Sequence, residues 1–168
     1  MKETTAKKKF MWNMAGSLCN SLSSMLLLII VNRISGESRG GFFALAYSTA
    51  QLLFSVGGFE IRPVQSTDIK NKFTFDQYFT SRMLNCIIML ICMIGYIVVN
   101  GYTGVEALTV FWILGYRMVE AVADVYSGLF QQRERIDISG KEMLMRSGIS
   151  TITFTIILWL TDNLLYAA

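Results

Sequence analysis

The sequence CIIMLICMIGYIVV, residues 86–99, decides the class of fold. It contains no side chain that is charged at neutral pH, since its only ionisable groups are the phenol of Tyr96 and two thiols. Extended to residues 83–100, the stretch reaches the minimum of roughly 17 mostly apolar residues that an α-helix needs to cross a bilayer. We therefore predict a transmembrane helix over residues 83–100.

The whole chain shares this apolar character. Hydrophobic residues make up 53% of its 168 positions and charged residues 16%, against roughly 25% charged residues in ordinary soluble domains. A single proline and ten methionines suit long helices better than a turn-rich β-protein. The composition predicts an all-α integral membrane protein.

Five segments approach the length of a membrane-spanning helix, and charged or turn-forming stretches separate them. The fifth segment is the weakest, because it reaches membrane length only by including Arg146, whose long side chain can extend to the lipid headgroups. The chain thus reads as about five transmembrane helices, at residues 10–32, 41–61, 83–100, 105–130 and 144–161. The separators are residues 34–40 (ISGESRG), 62–63 (RP), 100–104 (NGYTG) and 131–146.

The lysines and arginines predict an orientation. If the N-terminus is cytoplasmic, twelve of the fifteen lysines and arginines lie in cytoplasmic segments. Only Arg33 and Arg39 lie in external segments, and Arg117 lies within a predicted span. This bias predicts a multi-pass protein of the cytoplasmic membrane, with a cytoplasmic N-terminus and an external C-terminus. No A-x-A-like cleavage site follows the first apolar run, which predicts an uncleaved first span. The aromatic stretch at residues 73–79 is predicted to lie in an inside loop at the membrane interface.

Missing residue types exclude several functions. The chain has no histidine, which excludes histidine acid–base catalysis, Ser-His or Cys-His nucleophiles and histidine-bound metals. The three cysteines are scattered through apolar stretches and are expected to be small buried hydrophobes. The glycines do not form a phosphate-binding loop, and the basic residues do not form a nucleic-acid patch. We predict that the chain is not an enzyme and that it has no catalytic residue, metal, cofactor or nucleic-acid partner.

Polar residues on the first two predicted spans gather on one face of each helix. At 100° per residue, the polar positions of the first span fall within about 60° of one another. One interpretation is that small and amide side chains let helices approach and hydrogen-bond. The other is that the faces line a water-filled cavity, with Asn13, Asn20 and Gln51 as candidate substrate-binding residues. The faces are formed by Asn13, Ser17, Asn20 and Ser24 and by Ser48, Gln51 and Ser55.

The fourth predicted span carries four charges on one face. Glu106, Arg117, Glu120 and Asp124 lie within an arc of about 60°. A charge at mid-bilayer costs at least ~2.5–3.5 kcal/mol, so these groups are expected to face protein or water. The i,i+3 and i,i+4 spacings allow structural ion pairs. One arginine cannot neutralise two carboxylates, however, so the alternatives are a polar cavity, a cation or proton site, or a partner charge elsewhere.

The order and spacing of residues resemble those of the Wzx-type polysaccharide flippases, in the superfamily that also contains the MATE exporters. The first half of the resemblance is the polar helix at 13–24, followed by VNRISG at 31–36, GGFFALA at 40–46 and residues 54–59. The second half is RMVEAVADVYSGLFQQ at 117–132, continuing through Arg135-Ile136-Asp137 to Arg146. The resemblance covers most of the chain.

This resemblance implies a fold and a function. The fold would be part of the N-terminal helical lobe of a MATE-like transporter, with residues 1–168 as an incomplete lobe. The function would be to move undecaprenyl-diphosphate-linked oligosaccharide across the membrane by alternating access, for lipopolysaccharide, O-antigen or capsule synthesis. Arg117 would bind the diphosphate or acidic sugars, and Glu120 or Asp124 would couple transport to an ion or proton. The implied partners are membrane lipid, the lipid-linked oligosaccharide and a missing C-terminal lobe.

Two other functions fit the same residues. One is a MATE-like exporter of small molecules. The other is a non-transporting membrane helix-bundle subunit, in which the polar faces only join helices. A downstream reading frame that encodes a second lobe would favour a transporter, and neighbouring glycosyltransferase genes would single out polysaccharide export.

Overall fold

The described part of the chain is all-helical. The computed structural model describes residues 2–59, 61–68, 70 and 72–167, and the side chains of all of these except 2–5 and 56–58. No strand occurs among these residues, which confirms the predicted all-α class for them. The helices are α1 (Lys2–Gly58), α2 (Ile61–Thr67), α3 (Phe75–Val99), α4 (Gly104–Gln132), α5 (Ile136–Thr161) and α6 (Leu164–Ala167).

Helix α1 is bent into two arms at one glycine. Gly36 has φ 83° and ψ 171°, which is a conformation that glycine adopts without the steric cost a side chain would add. It divides α1 into a first arm, residues 2–35, and a second arm, residues 37–58. The arms fold back on each other, since a Cβ atom built on Gly40 would lie 3.2 Å from the Cα atom of Asn32. The predicted separator at 34–40 is therefore helical except at its central glycine.

Three helices, fewer than the predicted five, are long and apolar enough to cross a membrane. They are α1 over residues 6–55, α3 and α5. Two of the predicted spans, 10–32 and 41–61, fall almost entirely within the single bent helix α1. The second differs at its end, since α1 ends at Gly58 and Ile61 begins α2, while residue 60 lies outside the described residues. The predicted span at 105–130 is helical as α4. Every stretch of 18 residues in α4 contains Arg117, Glu120 and either Glu106 or Asp124, so this helix is too charged to count among the three.

The connection between the second and third predicted spans contains more helix than expected. Arg62-Pro63, predicted to end the second span, instead lies in the first turn of α2, where proline fits because its missing N–H would have no helical partner. Helix α3 begins at Phe75 rather than at residue 83. The Gln77 side chain accepts a hydrogen bond of 2.9 Å from the backbone N–H of Thr74, as in half of a capping box.

The aromatic stretch at 73–79 was predicted to lie in a loop, and most of it is instead the first turns of α3. Tyr78 is buried, and the rings of Phe75 and Phe79 pack against Tyr126 of α4. The polar separator at 131–146 is also mostly helical, because α5 begins at Ile136. In both places polar residues form the first turns of the helix, ahead of its apolar part. A start predicted from hydropathy alone is therefore too late for α3 and for α5.

The helices form one bundle whose two ends differ in charge. At one end, the Lys9 ammonium donates to the carbonyl of Glu134 (2.8 Å), and the Gln132 amide donates to the carbonyl of Asp68 (2.8 Å). These contacts bring together the start of α1, the α2–α3 connection and the α4–α5 turn, which we call the basic end. At the opposite end, Arg39 pairs with Asp162. Lys9 and Arg39, which the sequence assigns to opposite sides, thus lie at opposite ends of the bundle.

The apolar core lies between both arms of α1 and helices α3, α4 and α5. The first arm and α5 run parallel in close contact, as the contacts Lys9–Glu134 and Asn20–Ser147 show. Large apolar side chains also cover the outside of the bundle, as on the exposed face of α3 formed by Ile87, Ile91 and Ile94. The core contains Val31, Phe43, Ala46, Met89, Met93, Val110, Leu114, Phe154 and Leu158.

Candidate functional site

A polar cavity of about 690 Å³ opens between α1, α4 and α5, with Arg62 of α2 at its wall. The polar faces of both arms of α1 contribute to it, through Asn20 and Ser24 on the first arm and Ser48 and Gln51 on the second. Helix α4 contributes three of the four charges that the sequence singled out, namely Arg117, Glu120 and Asp124. Two of the three polar candidates, Asn20 and Gln51, line the cavity with them, as does Arg146 of α5.

The third polar candidate, Asn13, lies elsewhere. A Cβ atom built on Gly140 of α5 would overlap the backbone of Trp12 and Asn13, and one built on Gly16 would overlap the carbonyl oxygen of Gly140. Asn13 therefore lies at a crossing where α1 and α5 touch backbone to backbone. Farther along the same contact, Ser147 donates a hydrogen bond of 2.8 Å to the side-chain oxygen of Asn20. The polar face of the first arm thus packs against α5 near Asn13 and lines the cavity at Asn20 and Ser24.

Glu120 is the centre of a buried ion cluster. Its carboxylate pairs with Arg117, three residues earlier on α4, and with Arg146 of α5 at 2.6 Å. Arg146 also pairs with Glu142 at 2.8 Å, and Ser127 donates to Glu142 at 3.2 Å. These residues form the Glu120 cluster. The i,i+3 pair allowed by the sequence is present, but the second arginine comes from another helix.

The Arg117 guanidinium also packs on an aromatic ring. Its central carbon lies 4.5 Å from the ring centroid of Tyr47, on the second arm of α1. Such a cation–π attraction is stronger when the cation is shielded from water. The Nε atom of Arg117 is buried without a hydrogen-bond partner among the described residues. Arg117 therefore has one uncommitted donor group beside the cavity.

Asp124, one helical turn farther along α4, is the centre of a second ion cluster. Its two oxygens accept from Arg62 of α2 and Arg82 of α3, each at 2.9 Å. Arg82 is fully buried, whereas the Arg62 side chain is 25% exposed and that of Asp124 is 20% exposed. Arg62 also approaches Ser139 and Gln131, each at 3.4 Å. Asp124, Arg62 and Arg82 form the Asp124 cluster.

The excess of carboxylate expected on α4 is not found once the other helices are counted. Four arginines, at positions 62, 82, 117 and 146, meet three carboxylates, at positions 120, 124 and 142. The partner charges come from α2, α3 and α5. Glu120 and Asp124, the candidates for ion or proton coupling, each lie between two guanidinium groups. The guanidinium groups therefore occupy the positions that a bound cation would need.

Glu106, the fourth charge on the predicted face, belongs to neither cluster. It lines a separate cavity of about 350 Å³ at the opposite end of the bundle, together with Arg39 and Asp162. The face of α4 is therefore divided along its length. The first turn faces the opposite end, and the charges after Tyr116 face the polar cavity.

Three arginines that line the cavity or pair with the α4 carboxylates, Arg62, Arg82 and Arg146, were not among the candidate site residues predicted from the sequence. Each lies at or near the edge of a predicted span, where its charge was read mainly as a signal of topology. Their carboxylate partners on α4 are 62, 42 and 26 positions away, so no helical spacing connects these pairs. The one available signal was the charge count on α4, which called for a partner charge elsewhere.

The α2–α3 connection is organised by Asp68. Its carboxylate accepts hydrogen bonds from the backbone N–H groups of Lys72 (2.9 Å) and Phe73 (3.0 Å) and from the Tyr78 hydroxyl (3.0 Å). Hydrogen bonds from the two backbone N–H groups are the main reason that the pKa of Asp68 lies below its ordinary value. This exposed carboxylate fixes the segment that joins Arg62 to Arg82.

The arrangement can hold an anionic group. Among the described residues, no three histidine, cysteine or acidic side chains are grouped as a metal site would require. The cavity instead presents arginine forks, amides and hydroxyls, which hydrogen-bond phosphate and sugar groups. Comparisons with protein-family models, with curated proteins and with solved structures find no match for this chain.

Proposed function

We propose that this chain is part of a flippase that moves undecaprenyl-diphosphate-linked oligosaccharide across the cytoplasmic membrane. The observation that carries the proposal is the polar cavity of about 690 Å³, lined by Arg62, Arg117 and Arg146 inside a bundle of membrane-length helices. A diphosphate would accept hydrogen bonds from the arginine forks. Sugar hydroxyls would bind the amides of Asn20 and Gln51.

A neighbouring cavity of about 380 Å³ supports an amphiphilic substrate. It shares Tyr47 and Arg146 with the polar cavity, and its remaining wall is mainly apolar, with Leu27, Phe43 and Phe154. An isoprenoid chain next to its diphosphate would find apolar contacts there while the charged group stays with the arginines. The adjacency of the two cavities therefore favours a lipid-linked substrate over a wholly polar one.

In this proposal the two arms of α1 and helices α3, α4 and α5 are five spans, part of the N-terminal lobe of a MATE-like transporter. The basic end is cytoplasmic, in accordance with the distribution of lysine and arginine. Helix α4 is accommodated because arginines of α2, α3 and α5 pair with its carboxylates. The paired charges of α4 then never face lipid, and its apolar side does.

The test is binding of the lipid-linked oligosaccharide to the purified chain in nanodiscs, with variants of Arg117. Arg117→Ala should weaken binding roughly ten-fold, because a hydrogen bond to a charged group contributes about 1.5–3 kcal/mol. Arg117→Lys keeps the charge but loses the planar fork, so it should bind with intermediate affinity. Arg39→Ala, at the opposite end of the bundle, is the matched control and should bind like the unaltered chain.

The result against the proposal would be no binding, or equal binding by Arg117→Ala and the unaltered chain, in preparations of equal helicity. Transport itself is scored by the loss of a fluorescent lipid-linked oligosaccharide from one leaflet of proteoliposomes. In the complete transporter, Arg117→Ala should abolish export of surface polysaccharide while the protein remains in the membrane. Glu120 stays paired with Arg146 in that variant, so a fall in abundance is not expected.

The second candidate function is a helix-bundle subunit that transports nothing. It is favoured by the backbone contact between Gly16 and Gly140 and by the pairing of both α4 carboxylates within the chain. In that case Arg117→Ala would lower stability without any effect on ligand affinity. The binding titration therefore separates the two functions. A MATE-like exporter of small molecules would bind the headgroup analogue without its isoprenoid chain equally well.

A further inference from the structure

Exposed cationic side chains from two distant parts of the sequence meet at the basic end. Lys7 and Lys8 lie on the first turns of α1, and Arg133, Arg135 and Lys141 lie at the α4–α5 turn and the start of α5. The hydrogen bond from Lys9 to the carbonyl of Glu134 joins the two parts. Together, Lys7, Lys8, Arg133, Arg135 and Lys141 form what we call the cationic patch.

Most of this charge has no partner in the described part of the chain. Within the patch, Arg135 pairs with Asp137 at 3.3 Å, and no ion pair involves Lys7, Lys8, Arg133 or Lys141 among the described residues. Among the described side chains, the acidic ones nearest in sequence to the patch are Glu134, Asp137 and Glu142, and Glu142 is already paired with Arg146, against five cations. The patch therefore carries a positive charge that an anionic surface would complement.

The patch lies where two membrane-length helices begin. Lys141 lies over the Trp12 ring, with its ammonium 5.2 Å from the ring centroid. Phe10 and Met11, which precede that tryptophan in the sequence, are exposed near the start of the apolar part of α1. Exposed apolar side chains, a tryptophan and a group of lysines in this order are typical of the depth at which lipid headgroups lie.

We propose that the cationic patch binds the phosphate-bearing headgroups of anionic phospholipids. The opposite end of the bundle lacks such a patch in the described residues, since its basic residues are Arg33 and Arg39, and Arg39 pairs with Asp162. Anionic lipid is therefore enriched at one end of the protein only. This inference requires that the chain lies in a membrane and is independent of the flippase function.

The chain contains tryptophans suited to the test. Trp12 lies at the patch, and Trp159 lies near the end of α5 at the opposite end, where it is exposed. Variants that retain only one of these two tryptophans, with phenylalanine at the other positions, are reconstituted in symmetric bilayers. Each bilayer contains either phosphatidylglycerol or phosphatidylcholine brominated near the headgroup, at equal mole fraction, and quenching by bromine reports the lipid beside each tryptophan.

Trp12 should show a relative association constant for phosphatidylglycerol that is roughly three- to ten-fold above that for phosphatidylcholine, since each surface lysine or arginine attracts anionic lipid. High salt should reduce this preference because it screens exposed charges. Lys7→Gln, Lys8→Gln and Arg133→Gln together should bring the ratio close to one. These side chains are exposed at the basic end, and circular dichroism verifies that the variant keeps its helicity.

Trp159 should show no preference for phosphatidylglycerol. Equal quenching of Trp12 by both lipids would overturn the proposal. So would a preference that survives both high salt and removal of the three charges, or one that Trp159 shares. Because no oligosaccharide is present in this experiment, its outcome is separate from that of the binding titration with Arg117 variants.

Discussion

Glu120 and Asp124 lie one turn apart on the same helix, and each carboxylate lies between two arginines. Glu120 is 4% exposed and has one partner, Arg117, on its own helix. Asp124 is 20% exposed and both its partners come from other helices. The comparison separates two ways of holding a carboxylate beside the same cavity: Glu120 is almost completely inaccessible to water, whereas Asp124 is partly exposed.

This difference in exposure determines the expected cost of breaking each cluster. Removing one member of a buried ion pair leaves an uncompensated charge, which typically costs about 3–5 kcal/mol. Where the carboxylate site is partly exposed, as at Asp124, the remaining charge can be rehydrated and the cost falls. The Glu120 cluster should therefore contribute more to the cohesion of the bundle than the Asp124 cluster, although their geometries are alike.

The largest effect is expected for Glu120→Gln. The variant leaves Arg117 and Arg146 facing each other without their shared carboxylate, so the free energy of unfolding should fall by about 3 kcal/mol or more. Reversible unfolding in mixed micelles, followed by circular dichroism, measures it. Glu106→Gln is the matched control on the same helix, because Glu106 forms no ion pair among the described residues, and should change stability by less than about 0.5 kcal/mol.

Asp124→Asn should have a smaller effect, a loss of about 1–2 kcal/mol in the free energy of unfolding. Arg62 can turn toward the cavity and be hydrated, while Arg82 stays buried and retains an amide oxygen as acceptor. The same unfolding assay applies. A loss as large as that for Glu120→Gln would show that the cavity does not admit water to the Asp124 cluster, and the comparison would fail.

Gly128→Ala should disturb only the Asp124 cluster, by about 1 kcal/mol, at the low end of the range for overpacking. A Cβ atom there would overlap the side-chain oxygen of the fully buried Gln65 and would lie 3.6 Å from Cγ of Arg62. Helix α2 would have to shift from α4. Gly115→Ala on the same helix meets nothing within 4 Å and should be neutral or slightly stabilising, because alanine is the better helix former.

The smallest effect is a local one, at acid pH, in the connection that joins Arg62 to Arg82. Because the folded state lowers the pKa of Asp68, its stabilising contribution is complete above the unfolded pKa of about 4 and is lost as pH falls through the folded value. The amide resonances of Lys72 and Phe73 should therefore shift with a midpoint below pH 4. Asp68→Asn should abolish that titration.

Sequence reasoning succeeded where the physical cause is local. The span at 83–100 lies within α3, apart from its end, because a long run without charged groups can be helical inside a membrane. The pair between Arg117 and Glu120 follows from i,i+3 spacing on one helix. Helix boundaries were less accurate, since Thr74 and Gln77 start α3 earlier through a backbone hydrogen bond that hydropathy does not register.

Among the candidate residues, Asn20, Gln51, Arg117, Glu120 and Asp124 meet at one cavity, as their shared polar faces indicated. Asn13 does not join them, because its position on the same face coincides with the crossing of Gly16 and Gly140. A helical wheel gives the direction of a side chain, but not which neighbouring helix lies there or how closely it approaches.

The sequence by itself determined that the chain is helical, apolar on its outside and asymmetric in charge along its length. These properties follow from the composition and from the order of apolar and charged residues, which can be read from short stretches of sequence. Only the tertiary structure decided that Arg62, Arg82 and Arg146 surround the carboxylates of α4. Their positions depend on the packing of α2, α3 and α5 against α4, and Coulomb attraction depends on distance in space and is independent of separation along the chain.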